Sequence, residues 1–583
     1  MASKSKADRH DRDDTDRLSK RKCQGITWSC DVHGEPVKFY STESEIALCN
    51  SCASSTEMFN NQNEDQLRNI EEVIIVRRKR LNDKLQKTEE LERELMAVEA
   101  EIKSTEISAK KHLQTVSDRL TASFAESRKV LEKAKNAAIK LLKERMKWRK
   151  ETDEKVGEEI KTRNAQMEQE HRVSEQRESN VLSELQNIGE IVCKNIKDLT
   201  YKTQHARHTA KNMASTITRI IHQDKSLVIE APGVIASIDE NQCVDDHRDV
   251  TERLGRLQRE VDKVDFFVGT AGGREYARID GYVGEWELVR TITLPSTLDD
   301  PLLCGGDDDK ICVHERYTGY CDDESITTYV TNINTGKIEK IIEDNCKEIV
   351  SCAALGNDLI VCGNYRWGDE IMYKKDMITM LGGLITIYDK QWNKIRDISI
   401  PNCDNDFPGD PWNEVVLDVD RNGMIIAAQY NQPKVYFINP HDGGIENTFA
   451  FDWSKGVLGI DALSSGNIAV RTGSDKVTII SEKGQEVFAF PRDHSGWFIP
   501  AFCAFDKITE IAYFGPDGLS EPSAEVGDGE GPRDAIIQGK MLDKSGKYSD
   551  IQLPRGWRLV TPSGNLISCD GDKLVVYKKK FTV

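Results

Sequence analysis

The residues best suited to chemistry lie near the start of the chain, in CDVHGEPVKFYSTESEIALCNSC, which runs from Cys30 to Cys52. Cys30 and His33 make a Cys-x2-His pair, and Cys49 and Cys52 close the stretch as a Cys-x2-Cys pair. Thiolate and imidazole are the ligands of tetrahedral structural zinc, and closely spaced pairs let two turns of chain deliver four of them to one point. The competing reading is a buried thiol, a surface histidine and a chance pair. Size argues against it: a module of about thirty residues cannot build a core and needs such a staple. Metal binding would then be coupled to folding. The expectation is one zinc per chain, held by Cys30, His33, Cys49 and Cys52.

These ligands occupy a small part of a long chain. At 583 residues it exceeds one ordinary domain. Charged residues make up 31% and hydrophobic ones 38%, so parts of it should be extended or disordered, the polar residues 1–25 first among them. No stretch is apolar for the length of a membrane span, and the N-terminus lacks the pattern of a signal peptide, so a cytoplasmic location is expected. The 15 cysteines are an odd number and mostly scattered, as for buried thiols in a reducing compartment.

The finger, residues 26–56, leads into a stretch with no proline between Pro36 and Pro232 and, after Cys52, only Gly157 and Gly189. That composition predicts helix. Apolar residues recur at three-four spacing: Leu67, Ile70, Ile74, Leu81, then Leu95, Val98, Ile102, and later Leu113, Val116, Leu120, Phe124 and Leu131. So narrow a stripe reads as a coiled-coil seam over residues 57–225, with one rod from about 62 to 170 and a second helix, roughly 173–222, able to fold back. A lone helix would leave the stripe wet, so a homodimer is expected. Residues 226–285 read as a helical or hinge linker, and the glycine-rich Gly269–Glu275 within it reads as a flexible turn.

From Trp286 on, short strands separated by Gly, Asn, Asp and Pro replace the helical pattern. A turn followed by a short apolar strand recurs six times, centred near Leu303, Leu359, Ile425, Ile468, Ile511 and Leu566. The last repeat lacks a closing strand, while Glu287–Pro295 supplies a spare one before the first. Six four-stranded sheets closed in this way make an all-β six-bladed propeller over residues 286–583. The fold class is therefore multidomain: a small zinc module, a long α-helical coiled coil and a C-terminal propeller.

Cys-x2-His and Cys-x2-Cys leading straight into a coiled coil resemble the B-box of the tripartite-motif (TRIM) proteins, and the propeller resembles the NHL-repeat branch of that family. The resemblance implies an antiparallel coiled-coil dimer. A complete B-box holds two zinc ions, the second through a Cys-x2-Asp and two histidines. Here Tyr40 and Glu43 stand at the middle positions and the next histidine is His112, which implies a degenerate B-box with one site. Upstream of Cys30 only Cys23 is present, so no RING can be built and RING-dependent ligase activity does not carry over.

From Thr291 to the end there are 45 acidic and 29 basic residues, a net of -16 out of -18 for the chain. Such a body repels a phosphate backbone, which argues against the RNA-binding, translational-repressor role of some NHL proteins. No catalytic constellation is evident, so no enzyme is expected; lone His314, His441 and His494 read as surface or core residues, and Gly305–Lys310 as an acidic turn. The favoured function is a scaffold whose propeller binds protein, with RNA regulation, or work beside a separate RING protein, as alternatives. The candidate partner-binding aromatics are Trp367, Phe407, Trp412, Trp497 and Trp557, set among acidic loops.

Overall fold

The computed structural model describes residues 28–42, 44–55, 67–149, 153–239, 243–272, 274–298, 301–305, 310–315, 326–344, 347–356, 358–366, 383–401, 414–429, 432, 434–450, 457–472, 476–489, 503–514, 536–542, 548–554 and 557–582. The chain forms two compact units, residues 1–109 with 192–258 and residues 110–191 with 259–583.

In the first unit, strands β1 (Val37–Ser41) and β2 (Ala47–Cys49) form a hairpin, followed by the short helix α1 (Asn50–Ser55). Strand β3 (Leu67–Asn69) pairs with the free edge of β1 and runs directly into helix α2 (Ile70–Arg149). The finger is thus hydrogen-bonded to the base of the helix. Helix α3 (Asp153–Ile221) is followed by α4 (Asp224–Ile229), α5 (Ala231–Asp239) and α6 (Cys243–Lys263). Val37 and Tyr40 of the finger share a core with Ile70, Ile74 and Leu81 of α2, Ile217 and Ile220 of α3, and Leu227 and Ala231.

The rod expected over about 62–170 ends earlier, at Arg149, and the second helix expected from about 173 begins at Asp153. Neither proline nor glycine separates them, which is why composition reads straight through. In the first unit Leu91 and Leu95 pack on Ala206 and Ala210, and Arg207 pairs with Glu99 at 3.0 Å. In the second unit Leu113 lies beside Gly189, and Arg128 pairs with Glu178. Rising numbers on α2 meet falling numbers on α3, so the two run antiparallel. The seam residues Leu81, Leu95, Ile102 and Leu120 are fully buried within one chain. The cover that a second chain was expected to supply comes from α3.

In the second unit α6 gives way after Val264 to a hairpin of β4 (Asp265–Ala271) and β5 (Arg274–Asp280). Around this junction Val264 is fully buried, its carbonyl lies 2.7 Å from His112 Nε2, Arg119 pairs with Asp265 at 2.7 Å, and Phe124 packs on Phe266. The segment read as a hinge is packed structure. Gly269 and Gly272 serve close approach. Gly272 has φ +58°, and a Cβ there would lie 2.4 Å from the Ala354 carbonyl oxygen.

Strand β6 (Glu285–Leu298) opens a strand-rich region resembling a propeller. Five four-stranded antiparallel sheets follow in chain order. The first is Pro301–Gly305, Lys310–Glu315, Ile326–Asn332 and Lys337–Asp344; the second is Lys347–Leu355, Leu359–Arg366, Leu384–Asp389 and Lys394–Ser399. The third is Val415–Val419, Ile425–Gln429, Lys434–Ile438 and Ile445–Ala450; the fourth is Val457–Ala462, Ile468–Thr472, Lys476–Ile480 and Glu486–Ala489. The fifth is Cys503–Phe505, Ala512–Phe514, Ile536–Leu542 and Tyr548–Pro554. In the sixth, Asn565–Lys580 pairs with Trp557–Val560 through Leu566–Ser568 and with β6 from Gly571 to Lys580. In sequence Glu287–Pro295 stands alone; in the fold it belongs to the sheet of the C-terminal strand. The first repeat is offset by one strand, since Leu303 lies on a first strand where the other repeat centres mark second strands.

Each sheet shares buried side chains with the next. Cys304 and Val330 meet Ile349 and Ile360; Ile385 and Ile387 meet Leu417 and Ile425; Val416 and Ile426 meet Ile460 and Val470. Ala469 and Val477 meet Phe505 and Phe514, and Tyr513 and Met541 meet Val560 and Leu566. Ile567 and Val576 of the sixth sheet then meet Ile311 and Val313 of the first.

The β4–β5 hairpin lies against the turns that join first to second strands. Gly356, in that turn of the second sheet, donates its N–H to the Gly272 carbonyl, and Arg274 donates to the Gly356 carbonyl, both at 2.7 Å. At the fourth sheet, a Cβ on Gly269 would fall 2.6 Å from Ser464 Cβ. Arg278 pairs with Asp506, beside the fifth sheet, and donates to the Pro562 carbonyl of the sixth at 2.8 Å. Lys579 closes the base on Asp280 at 2.8 Å, with the rings of Tyr282, Trp286 and Tyr513 around its ammonium at 5.4, 5.9 and 5.6 Å.

Candidate metal centre

The first ligand pair sits in a tight turn. Gly34, at φ +69°, donates its N–H to the Cys30 carbonyl at 2.9 Å, and Cys30 N–H donates to the Glu35 carbonyl at 2.7 Å. That turn folds Cys30 and His33 to the same side. The second pair ends β2 and enters α1, so that Cys52 stands one turn after Cys49 and its N–H donates to Cys49 Sγ at 3.4 Å. Glu35 ties the two halves together: its carboxylate accepts from Ser51 N–H at 3.0 Å and from Ser51 Oγ at 2.5 Å. Those two bonds hold its carboxyl below the usual range.

His33 Nδ1 lies 3.2 Å from Cys52 Sγ, 3.5 Å from Cys49 Sγ and 3.8 Å from Cys30 Sγ, and Cys30 Sγ lies 3.6 Å from Cys52 Sγ. Ligands about 2.3 Å from a common centre in a tetrahedron stand about 3.7 Å apart. The four side chains therefore have the edges of a four-coordinate site that could hold a metal ion. Cys49 is fully buried, Cys30 and Cys52 half-buried, and His33 exposed. The backbone N–H groups of His33 and Val32, with the His33 ring, pull the Cys30 thiol down to about 6; beside it, the Cys52 thiol is pushed up to about 11 by Cys30 and by burial. One thiolate forms readily and the next resists its charge, a repulsion that a cation at the centre removes.

Tyr40 is no ligand. It is buried, its ring lies 4.4 Å from the Arg77 guanidinium carbon, and its hydroxyl accepts from Arg77 at 2.6 Å. Arg77 also donates to the Val228 carbonyl at 2.6 Å, tying finger, α2 and α4 together. Glu43 lies outside the described residues. So do Trp367, Phe407, Trp412 and Trp497 of the expected partner surface, along with His494. Trp557 begins a strand of the sixth sheet, its backbone opposite Ser568. His314 is buried within the first sheet and His441 is exposed in a turn of the third.

A second ligand-type group escapes sequence reading. Cys304, Cys312 and Cys352 place their sulfurs within 4.8 Å of one another, all buried. They are far apart in the sequence with no metal-site spacing, and only strand register brings them together.

No protein-family model matches the chain, and no curated protein matches it. Among solved structures, the chain is similar to the Myceliophteria thermophila Cps50 (Swd1) β-propeller domain, at 8% identity and a TM-score of 0.32, over 51% of this chain and 100% of that one. The C-terminal fold therefore rests on its own sheets.

Proposed function

We propose that this chain is a zinc-stapled scaffold whose strand-rich region is a ring-closed six-bladed propeller that binds another protein. The observation that carries it is the β4–β5 hairpin. It occupies the turns between first and second strands, so one face is taken by the chain itself. The connections from second to third strands, and from fourth to the next first, open on the opposite face. Trp367 falls in a connection of the first kind; Phe407, Trp412, Trp497 and Trp557 fall in or at the end of the second kind. Aromatics among acidic loops suit a basic, extended protein segment, the rings giving contact area and the carboxylates steering approach. Zinc suits the finger because three thiolates and an imidazole in a closed tetrahedron are a structural zinc set.

The test is affinity cross-linking of the full chain to a lysine-rich peptide library, with Trp412→Ala and Trp497→Ala as variants. The reading expects bound peptide to fall about tenfold or more in these variants while the thermal midpoint stays unchanged. Unchanged capture would remove these loops from recognition. Submicromolar binding of single-stranded RNA at physiological salt would replace the scaffold by the RNA-regulator reading.

A further inference from the structure

The buried cysteines of the first two sheets have a repeating arrangement. Cys304 and Cys312 face each other across the first and second strands of the first sheet. Cys352 and Cys362 do so across the corresponding strands of the second sheet. All four belong to one core cluster, walled by Val330, Ile349, Ile360, Tyr388 and Trp392. Each sheet thus brings a cross-strand thiol pair to the shared interface, and three of the four sulfurs already lie within 4.8 Å of one another.

We propose that Cys304, Cys312 and Cys352 form a second metal site, for a monovalent thiophilic ion of the Cu(I) class. Soft sulfur ligands select soft ions. A trigonal set at a metal–sulfur distance of about 2.3 Å needs sulfurs about 4 Å apart, inside the 4.8 Å that bounds this cluster. The two ions can be told apart by their surroundings. Zinc completes four ligands, as the finger does; three sulfurs in an apolar, water-excluded wall suit an ion content with three. The site is assembled from fully formed sheets, so the ion enters during folding and is shielded afterwards.

The full chain should be expressed in copper-supplemented medium, purified without oxygen and analysed for copper and zinc together. The expected result is about one equivalent of copper, retained by the native chain against a Cu(I) chelator and released in denaturant, with emission characteristic of solvent-shielded Cu(I) thiolate. Cys49→Ser should leave the copper in place while emptying the finger. Cys352→Ala should lose copper at least tenfold; Cys304→Ala is the second variant if that one fails to fold, and Cys193→Ala is the control that keeps copper. Copper absent from the wild type, or unchanged in both site variants, would overturn the proposal and leave the thiols as packing. Zinc lost with these cysteines in place of copper would overturn the choice of ion. A wild-type mass short by two hydrogens, locating a disulfide across a facing pair, would overturn it in favour of a redox pair.

Discussion

At the scale of single residues, the finger separates what spacing can reveal from what folding adds. The two ligand pairs are local in sequence, so Cys30, His33, Cys49 and Cys52 can be found by inspection. Glu35 cannot: its bonds to Ser51 exist only once the chain has turned back, and a glutamate two residues after a histidine is no signal. Purified protein should hold about one equivalent of zinc in the finger, and Cys49→Ser should remove it, as elemental analysis will show. Arg77→Ala should cost about 2 kcal/mol in chemical denaturation, because it breaks charged hydrogen bonds to Tyr40 and to the Val228 carbonyl. Glu184 offers a pH test. Burial raises its pKa despite Lys578 nearby, so its folded-state pKa lies above the unfolded one and ionisation opposes folding. The stability cost is absent below the ordinary carboxyl range and grows as pH rises through the raised pKa. Glu184→Gln should therefore melt higher than the parent at neutral pH, with the difference vanishing below about pH 4. An equal gain at both pH values would assign the effect to packing.

Secondary-structure elements were legible by type more than by pairing. Three-four spacing marks α2 well, and every seam residue named from sequence is buried or half-buried. Periodicity does not say which helix covers the stripe, and with neither glycine nor proline near residue 150 the break between the two helices is read about twenty residues too late. Leu95→Ala should destabilise the first unit by about 3 kcal/mol, since Leu95 packs fully buried on Ala206 and Ala210. The repeats were readable because each carries its own turn residues, yet the first was offset by one strand, as the strand Ile326–Asn332 follows a long connection. Register decided the rest, including the cysteine cluster. Gly272→Ala should lower the thermal midpoint by several degrees, an effect of about 2 kcal/mol from a Cβ against a backbone oxygen at positive φ. A chain of residues 281–583 compared with one of 295–583 isolates β6. The second should melt well below the first, because removal strips the edge of the C-terminal strand. Equal midpoints would mean that the sixth sheet holds without it.

For the whole molecule, the physical case for two chains came from a stripe that a single chain already covers. Light scattering at micromolar concentration should accordingly give the mass of a monomer, and a dimer would locate the association outside this seam. Binding of a basic partner to the acidic C-terminal region should weaken as salt is added, since exposed charges are screened beyond about 8 Å at physiological ionic strength. A salt-independent affinity would leave contact area alone to account for recognition. The junction at Val264 has a consequence of another kind. In the second unit the hairpin is tied on one side to His112, Arg119 and Phe124 and on the other to the sheet turns, so no tether of free chain separates helix from strand-rich region there. Avidity between linked binding modules usually depends on linker length through an effective concentration that falls off with added chain. Here that quantity is fixed by a packed joint. A partner site on the helices of this unit and one on its sheets would be engaged together only at one separation, and a ligand with its two contact points spaced differently would gain nothing from the second.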